Sequence, residues 1–200
     1  MGDFIVKPLS PALADDYLAF FDHEGGPAFA DNPEWAKCYC HYYEVPKAID
    51  WSSFAGPDNR IAMGSRIEVA EMEGFLAYEG ERVVGWVNAQ PRNKLPHCFG
   101  RLGVEAPVVA CAPHEAAVVV CFVVAPDHRR KGVARSLLAG ALASLQARGL
   151  ALVDAFPFKA GAEACDATDH YHGPLSLYLE QGFSTVAETD KLTIVRKFLR

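Results

Sequence analysis

The sequence predicts a single α/β (α+β) domain in which helices flank one central sheet. Residues 116–124 are apolar throughout, which is typical of a central strand covered on both faces. From Val133 onward, apolar residues recur at helical spacing until Gly149 closes the helix. Residues 75–90 contain two strand patterns joined by a Gly-containing turn, which predicts a hairpin. The length suits one domain, so we assign residues 1–200 to it.

The N-terminal segment predicts a strand followed by a helix. Residues 4–9 have the composition of the strand. Ser10 can cap the exposed amides of the helix through its side chain, and Pro11 suits the first helical position. Apolar residues at helical spacing continue this helix to about Asp22.

An insert at about residues 23–57 is rich in glycine, proline, aromatic residues and cysteine. This composition predicts turns, with one short helix near residues 34–43. Residues 58–73 then fit a second long helix, which Gly74 should end. No repeat or linker divides the chain, so we predict that the insert elaborates the same domain.

The remaining segments alternate between loops and regular elements. Two polar or Pro- and Gly-containing stretches predict loops, at residues 91–113 and 159–172. Residues 151–156 predict a strand, and residues 173–181 predict a short helix. The chain should end with two paired strands within residues 183–200.

Composition and charge exclude several classes of partner. Half of the residues are hydrophobic and 22% are charged, which is a globular composition. The net charge of -6 argues against nucleic acid, because phosphate binding requires clustered Lys and Arg. The N-terminus lacks a secretion pattern, and the longest apolar run is too short to span a bilayer. We therefore predict a cytoplasmic protein that does not contact membrane.

Reduced thiols are the expected state of all six cysteines in the cytoplasm. Cys38 and Cys40 are separated by one residue, which suggests a metal site. Zinc sites usually combine two pairs of ligands, and no second pair in the chain has matching spacing. We predict no metal. A reactive thiol near the site of the acceptor is an open alternative. The six are Cys38, Cys40, Cys98, Cys111, Cys121 and Cys165.

A basic loop joins the strand at residues 116–124 to the following helix. The first amides of a helix have no internal partner and carry partial positive charge. Small residues let a diphosphate approach the backbone closely. The stretch therefore predicts an anion site built from main-chain amides, and it matches neither the P-loop nor the three-glycine dinucleotide pattern. Its residues are Arg129, Arg130, Lys131, Gly132, Ala134 and Arg135.

This loop resembles the coenzyme A signature of the GCN5-related N-acetyltransferases (GNAT superfamily). That signature is Gln or Arg, two residues, Gly, one residue, and Gly or Ala, here Arg129, Gly132 and Ala134. A later family element, Leu-Tyr, three residues, Gly-Phe, is similar to residues 177–183. The resemblance covers nearly the whole chain, and the insert at residues 23–57 matches it least.

The resemblance implies a mixed, strongly twisted sheet whose strands at residues 116–124 and 151–156 splay apart. Acetyl-CoA would lie in the cleft as cosubstrate, with no metal. Its pantetheine arm would pair with the strand backbone, and the Phe122 amide would polarise the thioester carbonyl. The implied cofactor-binding residues are Phe122, Val123, Val124, Arg129, Arg130, Lys131, Gly132, Val133, Ala134, Arg135, Ser136 and Tyr178.

The resemblance also implies a donor for the leaving thiolate, at Tyr178, although a packing role is the alternative. The base is open, because Val118 occupies a position where the family sometimes has Glu. His172 stands where a family Asn is typical and is one candidate catalytic residue. The full set of candidates is Glu44, His97, His114, Asp154, His170 and His172.

We therefore predict transfer of acetyl to the primary amine of a small molecule. Alternatives are acylation of a protein Lys or N-terminus, and a non-catalytic acyl-CoA-binding module. Edge strands and the C-terminal hairpin make a homodimer possible. The aromatic side chains of the insert predict a pocket for the acceptor, a satellite core, or a mixture of both. These are Trp35, Tyr39, Tyr42, Tyr43, Trp51 and Phe54.

Overall fold

A seven-stranded mixed sheet forms the centre of the structure. The computed structural model describes residues 4–22, 25–159 and 170–200, with the side chain of His170 left out. The strands are β1 (Ile5–Pro8), β2 (Phe75–Glu79), β3 (Arg82–Pro91), β4 (Ala116–Val124), β5 (Leu152–Ala155), β6 (Ser184–Glu188) and β7 (Thr193–Phe198). Their order in the sheet is β1-β2-β3-β4-β5-β7-β6. Among the strands described here, only β4 and β5 pair in parallel.

Helices cover both faces of the sheet, which confirms the predicted fold class. They are α1 (Ala14–Phe21), α2 (Gly56–Glu68), α3 (Cys98–Leu102), α4 (Val133–Ala147) and α5 (Leu175–Glu180). Strand side chains alternate between the two faces of the sheet. Val87 and Phe122 share a core with α4, whereas Trp86 and Val123 share a core with α1 and α2. The central strands are therefore buried on both sides.

The two parallel strands separate halfway along β4. They pair from Ala116 with Leu152 to Val119 with Ala155, and β4 then continues without β5. Just beyond this point the register of β4 against β3 shifts, which leaves Val120 as an extra residue in a bulge. The predicted splay of the central strands is thus present, and it leaves one edge of β4 open.

Several predicted boundaries are wrong for local reasons. Helix α2 ends at Glu68 rather than at residue 73, and the chain turns through Ala70 in a left-handed conformation with φ 55°. Gly74 does not end that helix. It allows a close approach, since a Cβ there would lie 2.1 Å from Cη2 of Trp86. The Ser10 side chain makes no capping hydrogen bond.

The loop predictions need two further corrections. The insert forms no α-helix at residues 34–43, and its described part has 3-10 turns at Pro33–Trp35, His41–Glu44 and Trp51–Ser53. The segment 91–113 contains helix α3, which was not predicted. Much of the predicted loop at residues 159–172 lies outside the described residues, as does Cys165.

Close packing of α4 against β3 fixes the start of that helix. Gly85 faces the first turns of α4, and a Cβ at this position would lie 2.7 Å from Cγ1 of Val133 and 3.1 Å from Cδ1 of Leu137. Both side chains are fully buried. A larger residue would therefore push the N-terminus of α4 away from the sheet.

We expect Gly85→Ala to destabilise the protein by about 1–3 kcal/mol, because overpacking forces Val133 and Leu137 to move. Chemical denaturation at neutral pH measures the change. Gly64→Ala in α2 is the matched control, since its Cβ would make only an ordinary 3.6 Å contact with Leu18. There a helical Ala should stabilise by about 0.5–1 kcal/mol. Equal stabilities of the two variants would contradict this account of the packing.

Candidate active site

A cavity of about 1360 Å³ opens along the free edge of β4. Its walls come from residues 121–124 of β4, the loop at residues 128–132, the first turn of α4, helix α5 and the insert. Ten of the twelve predicted cofactor-binding residues line it. The exceptions are Ser136, whose amide bonds inside the helix, and Tyr178.

The start of α4 presents main-chain amides to this cavity. The first internal hydrogen bond of the helix runs from Ser136 N to Gly132 O at 3.0 Å. Helix geometry therefore leaves the amides of Val133, Ala134 and Arg135 without an internal acceptor. Gly132 has φ 95°, and a Cβ there would meet nothing within 4 Å. The space in front of these amides is open and suits an anion.

The basic side chains of the loop divide into bound and unbound groups. The Arg129 guanidinium donates to Val124 O at 3.2 Å and forms a double hydrogen bond with the Asp31 carboxylate at 2.5 and 3.1 Å. It thereby ties the insert to β4. Arg135 pairs with Glu180 on α5. Across the described ranges, Arg130 and Lys131 have no ion pair and remain available to a phosphate.

The free edge of β4 also carries main-chain donors. Ala125 N donates to Val84 O of β3 at 3.0 Å. Because successive amides of a strand point to opposite sides, those of Phe122 and Val124 point away from β3 and toward the splay. Phe122 N–H therefore lies where the predicted oxyanion donor must be. Its catalytic role stays a prediction.

Tyr178 lies beside the cavity but does not line it. Its side chain is fully buried, and its hydroxyl donates to His172 O at 2.6 Å. Burial raises the pKa of Tyr178 well above its ordinary value. Its ring packs 6.3 Å from the Phe122 ring between centroids. To donate a proton to a thiolate, this hydroxyl must leave the carbonyl of His172.

His172 is a buried, neutral imidazole. Burial lowers its pKa to about 3. Nε2 lies 3.3 Å from the Tyr43 hydroxyl, and Nδ1 has no hydrogen-bond partner among the described residues. The ring faces a second cavity of about 400 Å³. Tyr43 lines both cavities and therefore connects His172 with the larger one.

The two carboxylates among the candidates for the base have different surroundings. Asp154 is completely buried, and its two carboxylate oxygens are paired with Arg92 and Arg196 in the core. Glu44 lies 3.0 Å from Arg66, and burial raises the pKa of its carboxyl to about 7. Neither carboxylate lines the cavities.

The remaining histidines change the set of candidates. His97 and His114 lie away from both cavities, and the side chain of His170 is outside the described atoms. His128 lines the large cavity and was not singled out from the sequence. It bridges two carboxylates, Asp127 at 2.8 Å and Glu79 at 3.0 Å. The sequence signal for it was its position in the short turn between β4 and the basic loop.

Aromatic side chains of the insert form the wall opposite β4. Trp35 packs 5.4 Å from Tyr171, and Tyr42 packs 5.3 Å from Trp51. Four of the six aromatic residues singled out from the sequence line the large cavity: Trp35, Tyr42, Tyr43 and Trp51. Tyr39 and Phe54 do not, and the Tyr39 ring belongs to the core against α1. The insert thus contributes to both a pocket wall and a core.

Three of the five described cysteines also line the cavity: Cys38, Cys40 and Cys121. All five are free thiols. Within residues 4–22, 25–159 and 170–200, no group of three His, Cys, Asp or Glu residues is placed to hold a metal ion. None of the helices in these ranges has the length and apolar character of a membrane span.

Solved structures of N-acetyltransferases share this fold. An N-acetyltransferase from Staphylococcus aureus Mu50 has a TM-score of 0.55 at 13% identity, over 100% of both chains. The PaiA N-acetyltransferase from Thermoplasma acidophilum, solved in complex with coenzyme A, has a TM-score of 0.54 at 11% identity, over 98% of this chain and 99% of its own. The ribosomal-protein-S18-alanine N-acetyltransferase from Escherichia coli has a TM-score of 0.50 at 16% identity, over 98% and 94%. No curated protein matches the chain by sequence.

The sequence profile of the acetyltransferase (GNAT) family matches residues 33–169. This match covers more than half of the chain, from the insert to the end of the segment after β5. The chain belongs to the acetyltransferase (GNAT) family.

The buried neutral His172 predicts a loss of stability in acid. Its folded pKa is below the unfolded value, so the unfolded state binds the proton more readily as pH falls below about 6.5. Between pH 7 and 5 this should cost about 2 kcal/mol. In His172→Gln, which cannot titrate, the loss measured by denaturation over this pH range should be smaller by about that amount.

Comparing the wild type with His172→Gln cancels the opposite contribution that Glu44 makes to the pH dependence of stability. Its raised pKa means that the folded state binds a proton as pH falls through 7, which stabilises the protein. That contribution is common to wild type and variant. If both lose equal stability between pH 7 and 5, His172 is not buried as a neutral ring.

Proposed function

We propose that this protein transfers an acetyl group from acetyl-CoA to the primary amine of a small molecule. One observation carries the proposal: the unpaired amides of α4 lie beside the outward amides of Phe122 and Val124, in one continuous cavity. The first set suits a diphosphate, and the second suits an extended amide chain ending in a thioester. We further propose that the reaction takes place in the cytoplasm. A homodimer formed through an edge strand or the C-terminal hairpin remains a prediction.

Binding would begin at the α4 end of the cavity. The pyrophosphate of the cosubstrate meets the amides of Val133, Ala134 and Arg135, with Arg130 and Lys131 adding charge. The outward amide of Val124 then pairs with the pantetheine arm as a neighbouring strand would. This arrangement brings the thioester carbonyl to Phe122 N–H. A positioned donor of this kind lowers an acyl-transfer barrier by about 3 kcal/mol.

A small acceptor fits the other end of the cavity. Pockets for small ligands usually measure about 300–1000 Å³. The 1360 Å³ here leaves room for a second small molecule beside the arm of the cosubstrate. Aromatic walls from Trp35, Tyr42 and Trp51 favour an acceptor with an apolar or aromatic body. A protein acceptor and a non-catalytic acyl-CoA-binding module are the alternatives that the experiments below separate.

The proton transfers are assigned to two side chains. An alkylammonium has a pKa near ~10 and must lose a proton before it attacks. His172 is neutral at pH 7, and the Tyr43 hydroxyl connects Nε2 with the cavity. Because the low pKa of His172 disfavours a charged ring, we assign this pair a proton relay, in which Nε2 takes up a proton through the Tyr43 hydroxyl as Nδ1 releases one to solvent. Tyr178, next to Phe122, supplies the proton for the leaving thiolate once its hydroxyl leaves His172 O.

Release of free thiol from acetyl-CoA across a panel of amines tests the proposed function. The panel contains arylalkylamines, polyamines, amino acids, aminoglycosides and a peptide with a free N-terminus and a Lys. We expect saturable release with small amines of apolar or aromatic character. Saturation only by the peptide would support the protein alternative. Binding of coenzyme A without turnover of any amine would support the non-catalytic alternative.

The Gly132→Glu variant tests the anion site. A carboxylate placed before the α4 amides should repel the pyrophosphate and weaken coenzyme A binding at least about tenfold in calorimetry. Gly149→Glu is the matched control: it has a similar positive φ of 82°, no atom within 4 Å of its Cβ, and lies at the other end of α4. It should bind as the wild type does. Unchanged affinity in Gly132→Glu would contradict the assignment.

Removing the Tyr178 hydroxyl should slow turnover without weakening the binding of the cosubstrate. In Tyr178→Phe we expect kcat to fall at least about tenfold, with KM for acetyl-CoA nearly unchanged. An acetyl thioester of a more acidic thiol needs less protonation of its leaving group, so it should recover much of the rate. If kcat falls equally for both thioesters, the hydroxyl does not protonate the leaving group, and its role is limited to the hydrogen bond with His172 O.

A further inference from the structure

The second cavity, of about 400 Å³, receives no ligand in the reaction proposed above. Three tyrosines line both this cavity and the large one, so the two share a wall: Tyr42, Tyr43 and Tyr171. Phe158 and His172 also line the second cavity, with their ring centroids 4.7 Å apart. Its volume lies within the usual range of pockets for small ligands, and its aromatic walls suit a ligand that contains a ring.

His172 contributes an unsatisfied nitrogen to the wall of the second cavity. The residue is 3% exposed, and its Nδ1 has no hydrogen-bond partner among the described residues. The other ring nitrogen, Nε2, lies 3.3 Å from the Tyr43 hydroxyl. When Nε2 accepts a hydrogen bond from this hydroxyl, the neutral ring carries its proton on Nδ1. A ligand that accepts this proton would satisfy a buried donor that otherwise costs about 1–3 kcal/mol.

The charged residues around the second cavity favour an anion. Arg101, Lys191 and Asp190 line it, which leaves a net positive charge. The Arg101 guanidinium donates to three backbone carbonyls of the insert and lies 4.8 Å from the centroid of the Tyr42 ring, so its position is fixed. Lys191 forms no ion pair with any residue that the structure describes. Its ammonium group is therefore available to a negatively charged ligand.

We propose that the second cavity binds a small aromatic carboxylate, whose oxygen accepts the Nδ1–H of His172 while Lys191 and Arg101 balance its charge. The ring of this ligand packs against Phe158 and Tyr171, on the far side of the shared wall from the acceptor. Binding of the carboxylate does not depend on the proposed function. Its effect on turnover does, because that effect acts through the proton relay of His172.

The bound carboxylate assists the relay at its outer end. The proton of the amine passes to the Tyr43 oxygen as the Tyr43 proton passes to Nε2 of His172. The Nδ1 proton then passes to the carboxylate, which exchanges it with solvent. A carboxylate at Nδ1 also holds the imidazole in the tautomer that accepts a proton at Nε2, and it stabilises positive charge that develops on the ring. The ligand is therefore an activator.

Calorimetry with benzoate tests the site on the full chain without any turnover. We expect saturable binding of benzoate and at least about tenfold weaker binding of benzamide, which has the same shape but no charge. Lys191→Gln should weaken benzoate binding at least about threefold. Lys159→Gln is the matched control, because Lys159 pairs with Glu188 at 2.7 Å and lies outside the second cavity. Equal affinities for benzoate and benzamide, or no binding of benzoate, would refute the site.

Nitrogen NMR of the imidazole rings tests the contact with His172. The signals of this ring are assigned by their absence from the spectrum of His172→Gln. Benzoate should shift them to those of a single tautomer with the proton on Nδ1, and benzamide at the same concentration should not. If benzoate binds and these signals do not change, its carboxylate does not contact Nδ1 and the proposal is wrong.

Steady-state kinetics separate the failure of this proposal from the failure of the proposed function. With acetyl-CoA and the best amine of the panel, benzoate should raise kcat at least about twofold without changing KM for the amine, and His172→Gln should not respond. Competition between benzoate and the amine would place benzoate in the large cavity, and an unchanged kcat would refute its role as activator. If benzoate binds as expected but the wild type acetylates no amine, the proposed function fails and the second site stands.

Discussion

The separation of β4 from β5 is the constraint on which the rest of this structure depends. A strand edge in a protein interior needs hydrogen-bond partners for its amides and carbonyls. Beyond Val119, the described part of the chain gives β4 strand partners only on the β3 side. The bulge at Val120 and the close packing of α4 over Gly85 hold this open edge in place. An extended ligand would fit this unpaired edge, because it could supply the missing strand.

The insert forms the second wall of the cleft that the sheet leaves open. The sheet alone provides main-chain donors at one wall of the cleft, and these donors do not discriminate between acceptors. The insert adds aromatic rings and thiols on the opposite wall, and the bond between Asp31 and Arg129 anchors it. The chemistry of cosubstrate binding would thus lie in the backbone, and selectivity would lie in side chains from residues 23–57. This division explains how the fold and the choice of acceptor can vary independently.

Sequence reasoning identified the fold and located the basic loop before α4, because both depend on local patterns; anion binding by that loop stays a prediction. The bounds of β4 agree to the residue, since an apolar run between a proline-containing turn and a basic loop leaves little ambiguity. Helix α3 was missed because five residues are too few to show a period. The contact of Cys40 with Asn88 joins residues 48 positions apart through a left-handed turn, and no local signal reports it. The burial of His172 likewise depends on distant rings.

The bond between Arg129 and Asp31 has a thermodynamic consequence. One guanidinium contacts both the β4 backbone, beside the proposed site of the cosubstrate, and the insert, beside the proposed site of the acceptor. A ligand that shifts the basic loop therefore shifts the aromatic wall as well. Linkage then requires reciprocity: whatever free energy the first ligand contributes to holding the second, the second returns in equal measure to the first. The two halves of the cleft would behave as one cooperative unit.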